Sequence, residues 1–190
     1  GMTAANAQKP EDQLRSIYFR AQCYLLLKEP KRAYPLLEKV ANSPIDSPYK
    51  TQAKISSAHI LLADKEYAKA LPLYQAQLTP SQTAEMRSET AYHAGVCAAA
   101  LKDSALAKKY FTIAMDVPKS PWKANAHIAL LGLYYQAKDY DSILAQLGKS
   151  EVELDAKQLA QQGVIVGQSY FQKKNYAEAI NYFLDVERSA

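Results

Sequence analysis

The chain has 190 residues, 48% of them apolar and 22% charged, and 23 basic against 19 acidic side chains leave a net charge of +4. That length buries a core without disulfides or metals, and the balance excludes collagen-like and disordered classes. No apolar stretch approaches the roughly 18 residues a membrane-spanning helix needs, and no run of like charges could track a nucleic-acid backbone.

Residues 1–10 read as a flexible segment. Gly1 ahead of Met2 looks like the scar of tag cleavage, and without an apolar stretch there is no signal peptide here, which leaves the compartment open between cytoplasm and a bacterial periplasm or cell envelope. Pro10-Glu11-Asp12 then opens a first helix, with acids favoured by the macrodipole. Ser47-Pro48 and Ser120-Pro121 each offer an N-cap followed by proline at the first helical position. With these boundaries, helices are expected at 11–27, 30–42, 48–63, 66–78, 82–101, 103–115, 121–137, 139–148, 155–173 and 175–188. Pro35 and Pro72 fall about a turn inside second helices, where a kink or a late helix start is expected. Cys23 and Cys97 are too few for a disulfide framework or a zinc site and read as small buried hydrophobes.

The chain repeats itself. Glu29 to Leu37 aligns without a gap on Glu66 to Tyr74, and stepping on by 36 or 37 residues gives Ala33, Ala70, Ala107, Ile143 and Ala179. One turn later stand Leu37, Tyr74, Phe111, Leu147 and Phe183. Twelve residues earlier stand Ala21, Ala58, Gly95, Leu131 and Gly167. Small residues on one helix let its partner approach, and the large side chains one turn on fill the space between, so each helix pair buries its face only against its neighbours. The pattern gives five repeats, near 11–45, 48–81, 82–118, 121–152 and 155–190, in one domain over 11–190.

The sequence Gly167-Gln168-Ser169-Tyr170, followed by Asn175-Tyr176-Ala177-Glu178-Ala179-Ile180 and Phe183, resembles the tetratricopeptide repeat (TPR), and the resemblance covers 11–188. It departs from that pattern in lacking the first-helix tryptophan, in replacing both small residues of the fourth copy by Leu131 and Ile143, and in its longer period. The resemblance implies an all-α, right-handed superhelix of helix pairs whose first helices line a concave groove. The long repeats, joined through Pro44 to Pro48 and Pro118 to Pro121, are also similar to those of bacterial cell-envelope proteins such as the Tol–Pal coordinator and outer-membrane assembly lipoproteins.

Motifs for catalysis are missing: there is no glycine-rich phosphate loop, His-Glu-x-x-His pair, Gly-x-Ser-x-Gly elbow or Cys-x-x-Cys. No enzymatic activity, cofactor or metal is expected, and His59, His93 and His127 fall at different places in their repeats. Tyr24, Tyr67, Tyr74, Tyr134, Tyr140, Tyr170 and Tyr176 occupy the seams between helices. Tyr18, Ile55, Tyr92, Tyr135, Val164 and Phe171 fall on the first-helix stripe, interleaved with Gln22, His59, Asn125, Gln161 and Gln168. Aromatic rings beside neutral amides suit an extended peptide, because rings bury area cheaply while amides bond to its backbone. The same stripe would also serve simply to close a tightly wound solenoid. The positions of the family's carboxylate clamp hold Arg15, Tyr18, Phe19 and Gln22, then Gln52, Ile55, Ser56 and His59, so a chaperone-tail site is not implied. A non-catalytic protein- or peptide-binding scaffold is the expected function. The alternative is a structural segment of a longer array or a self-associating envelope component. Ile180, Phe183, Leu184 and Val186 cannot all face the preceding helix, so the end face is expected to pack against further chain or another copy.

Overall fold

The computed structural model describes residues 10–80, 82–148 and 151–188, and the segment 1–9 lies outside them. Among the described residues are ten helices: α1 (Pro10–Leu26), α2 (Pro30–Ala41), α3 (Tyr49–Ala63), α4 (Tyr67–Gln77), α5 (Ala84–Ala100), α6 (Ser104–Met115), α7 (Pro121–Gln136), α8 (Tyr140–Leu147), α9 (Ala156–Gln172) and α10 (Tyr176–Arg188). All ten expected helices are present, and the fold is an all-α helical repeat. No described helix is long and apolar enough to cross a membrane.

The chain forms two compact units, Gly1–Gln77 with α1–α4 and Leu78–Ala190 with α5–α10. In the first, α1 packs on α2, α2 on α3 and α3 on α4, with α1 also touching α3. The second continues the same scheme: each helix from α5 to α10 packs on the next, and α7 touches both α5 and α9.

One local device closes every helix pair. Lys28, Lys65, Lys102, Lys138 and Lys174 have φ between 57° and 63°, the left-handed conformation that ends a helix. At each, two backbone bonds cross back over the final turn, as in Lys102 N–H to Ala99 O and Asp103 N–H to Ala98 O, both 3.0 Å. The residue after the lysine then starts the second helix. Asp103 accepts from the Leu106 N–H and Asp139 from the Ser142 N–H. Ser120 caps α7 ahead of Pro121, as expected, while Ser47 accepts from the Tyr49 N–H with Pro48 itself at the cap position.

The late helix start expected at the prolines does not occur. α2 and α4 start on schedule and run through Pro35 and Pro72. Both rings lie on the exposed side, where water can take the carbonyl that each missing N–H would have bonded.

The small-to-large rule holds in detail. A Cβ on Gly95 would stand 2.6 Å from the Phe111 ring, and one on Gly167 the same distance from Phe183. Ala21, Ala33, Ala58, Ala70 and Ala107 are fully buried. In the fourth pair Leu131 and Ile143 supply the bulk themselves, both with no exposure, and Leu147, where the first three pairs place their buried filler, is left half-buried. Polar ties join the elements of the second unit: Ser88 Oγ donates to Ala114 O (2.8 Å), and Ser120 Oγ bonds Ser88 Oγ (2.6 Å).

Candidate binding face

Each unit carries part of the expected first-helix face. In the first unit Tyr18 stacks on Tyr49 (centroids 5.1 Å, planes 30° apart), and Phe19 meets Tyr49 edge-on at 5.8 Å. Burial, then the neighbouring Tyr49, raises the Tyr18 pKa. Gln22 and Ile55 are half-buried. The His59 ring turns toward the second helix and lies 5.6 Å from Tyr74, and burial lowers its pKa.

The second unit repeats the aromatic arrangement two repeats on. Tyr92 stacks on Trp122 (5.3 Å, 28°) and His93 meets Trp122 edge-on at 4.8 Å. Burial raises the Tyr92 pKa. Tyr49 and Trp122 each stand nine residues before the small position of their own helix, so one ring reaches back onto the preceding first helix. Sequence reasoning missed both partners. A large aromatic at that register in alternate repeats was the available signal. In the last repeat the register holds Gln158, whose Nε2 donates to Asn125 Oδ1 at 2.9 Å.

Tyr18 and Tyr92 are therefore partly spent on packing, whereas α7 and α9 present a more open surface. On α9, Gln161, Val164, Gln168 and Phe171 follow one stripe and all are exposed, Phe171 by 53%. On α7 the equivalent stripe is Asn125, Ile128, Gly132 and Tyr135, each half-buried. Tyr135 and Phe171 are anchored alike at the ends of their helices, edge-on to Tyr140 (6.0 Å) and Tyr176 (5.5 Å). Beneath the stripes His127, 2% exposed, donates from Nε2 to Gln162 Oε1 at 2.7 Å. Its Nδ1 has no hydrogen-bond partner among the described residues.

Gly132 was not singled out from sequence, and it is the most informative residue of the surface. A Cβ added there would meet nothing within 4 Å. In the interior of a helix glycine costs about 1 kcal/mol relative to alanine, and no packing among the described residues requires it. Its absent side chain leaves a notch between Ile128 and Tyr135.

Two expectations need adjusting. Tyr176 does not fill a seam: it is 52% exposed, with its ring edge-on to Phe171. Cys97 is buried as expected, its thiol pushed up to about 11 by burial, but Cys23 is exposed on α1.

No protein-family model matches the sequence, and no curated protein matches it. Solved structures do. The chain is similar to MamA, as the RS-1 double mutant, at 15% identity and TM-score 0.72 over 94% of each chain. It is also similar to YrrB, a TPR protein with an unusual peptide-binding site, at 15% identity and TM-score 0.69 over 91% of this chain and 84% of that one. Nearly identical TPR-like repeats of a kinesin light chain from Podosopora anserina match at 16% identity and TM-score 0.63, over 96% of this chain and 97% of that one. At these identities the likeness establishes the fold, a TPR-like helical repeat.

Proposed function

We propose that this chain is a non-catalytic scaffold that binds a protein segment or extended peptide across the first-helix face, with α7 and α9 as its most accessible part. Gly132 carries the reading. A glycine that costs helix stability and serves no internal contact is accounted for by a ligand backbone passing close over the helix. Around it, Asn125, Gln161 and Gln168 can bond peptide N–H and C=O groups, while Tyr135, Val164 and Phe171 cover apolar side chains. In the first unit Tyr18, Gln22 and Ile55 offer half-buried groups of the same kind, whereas the His59 ring is turned toward Tyr74, and in the second Tyr92 contributes the edge of its stack. The solved structure described as having a peptide-binding site shares this fold, which supports the mode without naming a ligand.

A peptide-library selection on the intact chain tests this reading. Enriched peptides should be apolar and aromatic, and their binding should weaken little between about 50 and 300 mM salt, since few charges line the stripe. Gly132→Leu fills the notch while improving helix propensity, so that variant should melt no lower than the parent and yet lose the peptide. Phe171→Asp should lose it as well. Undiminished binding in both variants would overturn the proposal.

A further inference from the structure

His127 stands where the second unit otherwise puts a small residue. Four positions before the small contact of their own helices, α5 has Ala91 and α9 has Gly163, both buried, while α7 has an imidazole that is 2% exposed. Its Nε2 donates across to Gln162 Oε1 on α9 at 2.7 Å, and its Nδ1 is buried without a hydrogen-bond partner among the described residues. With the ring neutral, that Nδ1 is a bare lone pair, which a buried site tolerates at modest cost. Once protonated it becomes a charged donor with no acceptor, which a buried site tolerates far less well.

The surroundings do not relieve such a charge. α7 packs on α5, α6, α8 and α9. Of the charged and titratable groups on these helices and on α7 itself, the one that acts on the ring is Lys123, one turn back on α7, and its positive charge opposes the proton as burial does. Gln162 is the favourable partner, and its amide oxygen already holds the other nitrogen. Gln162 is half-buried, so the way from the ring to water runs past it, between α7 and α9.

That seam lies under the face assigned to the peptide. His127 adjoins Ile128 of the α7 stripe, Gln162 adjoins Gln161 of the α9 stripe, and the Asn125 to Gln158 bond is a second tie between the same two helices. A peptide that touches Gly132 and Tyr135 on one helix and Val164 and Phe171 on the other needs the two held at a fixed spacing.

We propose that the His127–Gln162 contact is a proton-operated clasp: the neutral ring holds α7 and α9 at the spacing the peptide face requires, and protonation at Nδ1 loosens α9 from α7 and releases the peptide. The release rests on the peptide-binding reading, whereas the loosening rests on the α7–α9 contact alone. Because the folded chain holds this ring below its ordinary 6.5, the clasp is closed above pH 6.5 and opens as the pH falls below it. Peptide and one proton compete, so affinity falls by at most about tenfold per pH unit.

The full chain without ligand tests the clasp. Its His127 ring signals and backbone amide shifts are followed by NMR from about pH 7.5 to 5. Amides of residues 124–131 and 159–166 should move with the midpoint of the His127 ring while helicity stays constant. His127→Gln keeps an N–H for Gln162 but cannot titrate, so those coupled shifts should vanish. Gln162→Glu sets a carboxylate against the ring, favours its proton and should raise the midpoint by about one pH unit. The release is read as affinity for a peptide selected on this chain at about pH 7.5: Kd should weaken at least ~3-fold by about pH 5 in the parent, much less in His127→Gln, and from a higher pH in Gln162→Glu. A chain that binds no peptide at any pH would refute the peptide-binding reading and leave the clasp to be decided by the ligand-free titration. Amides of α7 and α9 that ignore the titration of the ring, loss of helicity throughout the chain over this range, or a Kd with the same pH dependence in the parent and His127→Gln would each overturn the proposal.

Discussion

In the α5–α6 pair Phe111 lies against Gly95 and is 1% exposed, whereas in the α9–α10 pair Phe183 makes the same approach to Gly167 and stays half-buried. The two hairpins share their left-handed lysine turn, their glycine and their large filler, so what forms the pair is local and written in the repeat. What differs is the layer outside. α7 covers α5 and α6, while one face of α10 remains exposed. Pairing is therefore set by each repeat, and burial, with the stability that follows from it, by the neighbours.

The sharpest way to break this comparison is to crowd both contacts equally. Gly95→Ala forces the buried Phe111 ring to move where it has no room, an overpacking cost of about 1–3 kcal/mol that outweighs the ~1 kcal/mol gained in helix propensity. Gly167→Ala meets the same 2.6 Å clash, but Phe183 can swing outward, so the two terms should nearly cancel. Chemical denaturation of both variants checks this, and equal losses would show that burial is not what separates the pairs.

Gly132→Ala isolates propensity from packing. With open space around the new Cβ, it should stabilise the chain by about 1 kcal/mol, measured as a raised denaturation midpoint. A destabilised variant would mean that the notch is occupied within the protein and is not a ligand feature.

The turn lysines should respond alike wherever they lie. Glycine at Lys102 or Lys174 relieves the strain of a left-handed residue but adds unfolded-chain entropy, for a net gain on the order of 0.5 kcal/mol in each. Matched midpoint shifts in the two variants would confirm that the turn is locally encoded, and a shift in one alone would not.

The smallest effect depends on pH. Burial, with Lys123 nearby, holds the His127 pKa below its ordinary 6.5 against the opposing effect of the hydrogen bond that His127 donates to Gln162. The unfolded chain binds that proton more readily, so the contribution of His127 to stability is complete above pH 6.5 and declines as the pH falls below it. His127→Gln should flatten the stability profile between about pH 7.5 and 5 relative to the parent chain. His59 shifts in the same direction in the first unit, so some slope should remain.

The fold was legible because its signals are local. Serine-proline caps, the spacing of Ala33, Ala70 and Ala107, and Gly95 set twelve residues before Ala107 each state a contact within one or two turns of helix. The candidate face was only partly legible. The aromatic-and-amide stripe could be read from the first-helix register, but the stacks of Tyr49 on Tyr18 and Trp122 on Tyr92 join different repeats and recur only in alternate ones. Gly132 gave no signal either, since a glycine inside a helix announces a close contact without saying whether the contact is internal. The register that Tyr176 shares with Tyr67 and Tyr140 places it in a seam, and those two are half-buried. Its exposure depends on what lies beyond α10, which no local pattern records.

The central claim, that the first-helix face of α7 and α9 takes a peptide, is tested most directly by mapping backbone amide shifts as a selected peptide is titrated into the intact chain. Binding as proposed should move the resonances of residues 125–135 and 161–171 most, with Gly132 among the largest. Shifts concentrated instead on α8 and α10, with Gly132 unmoved, would contradict it.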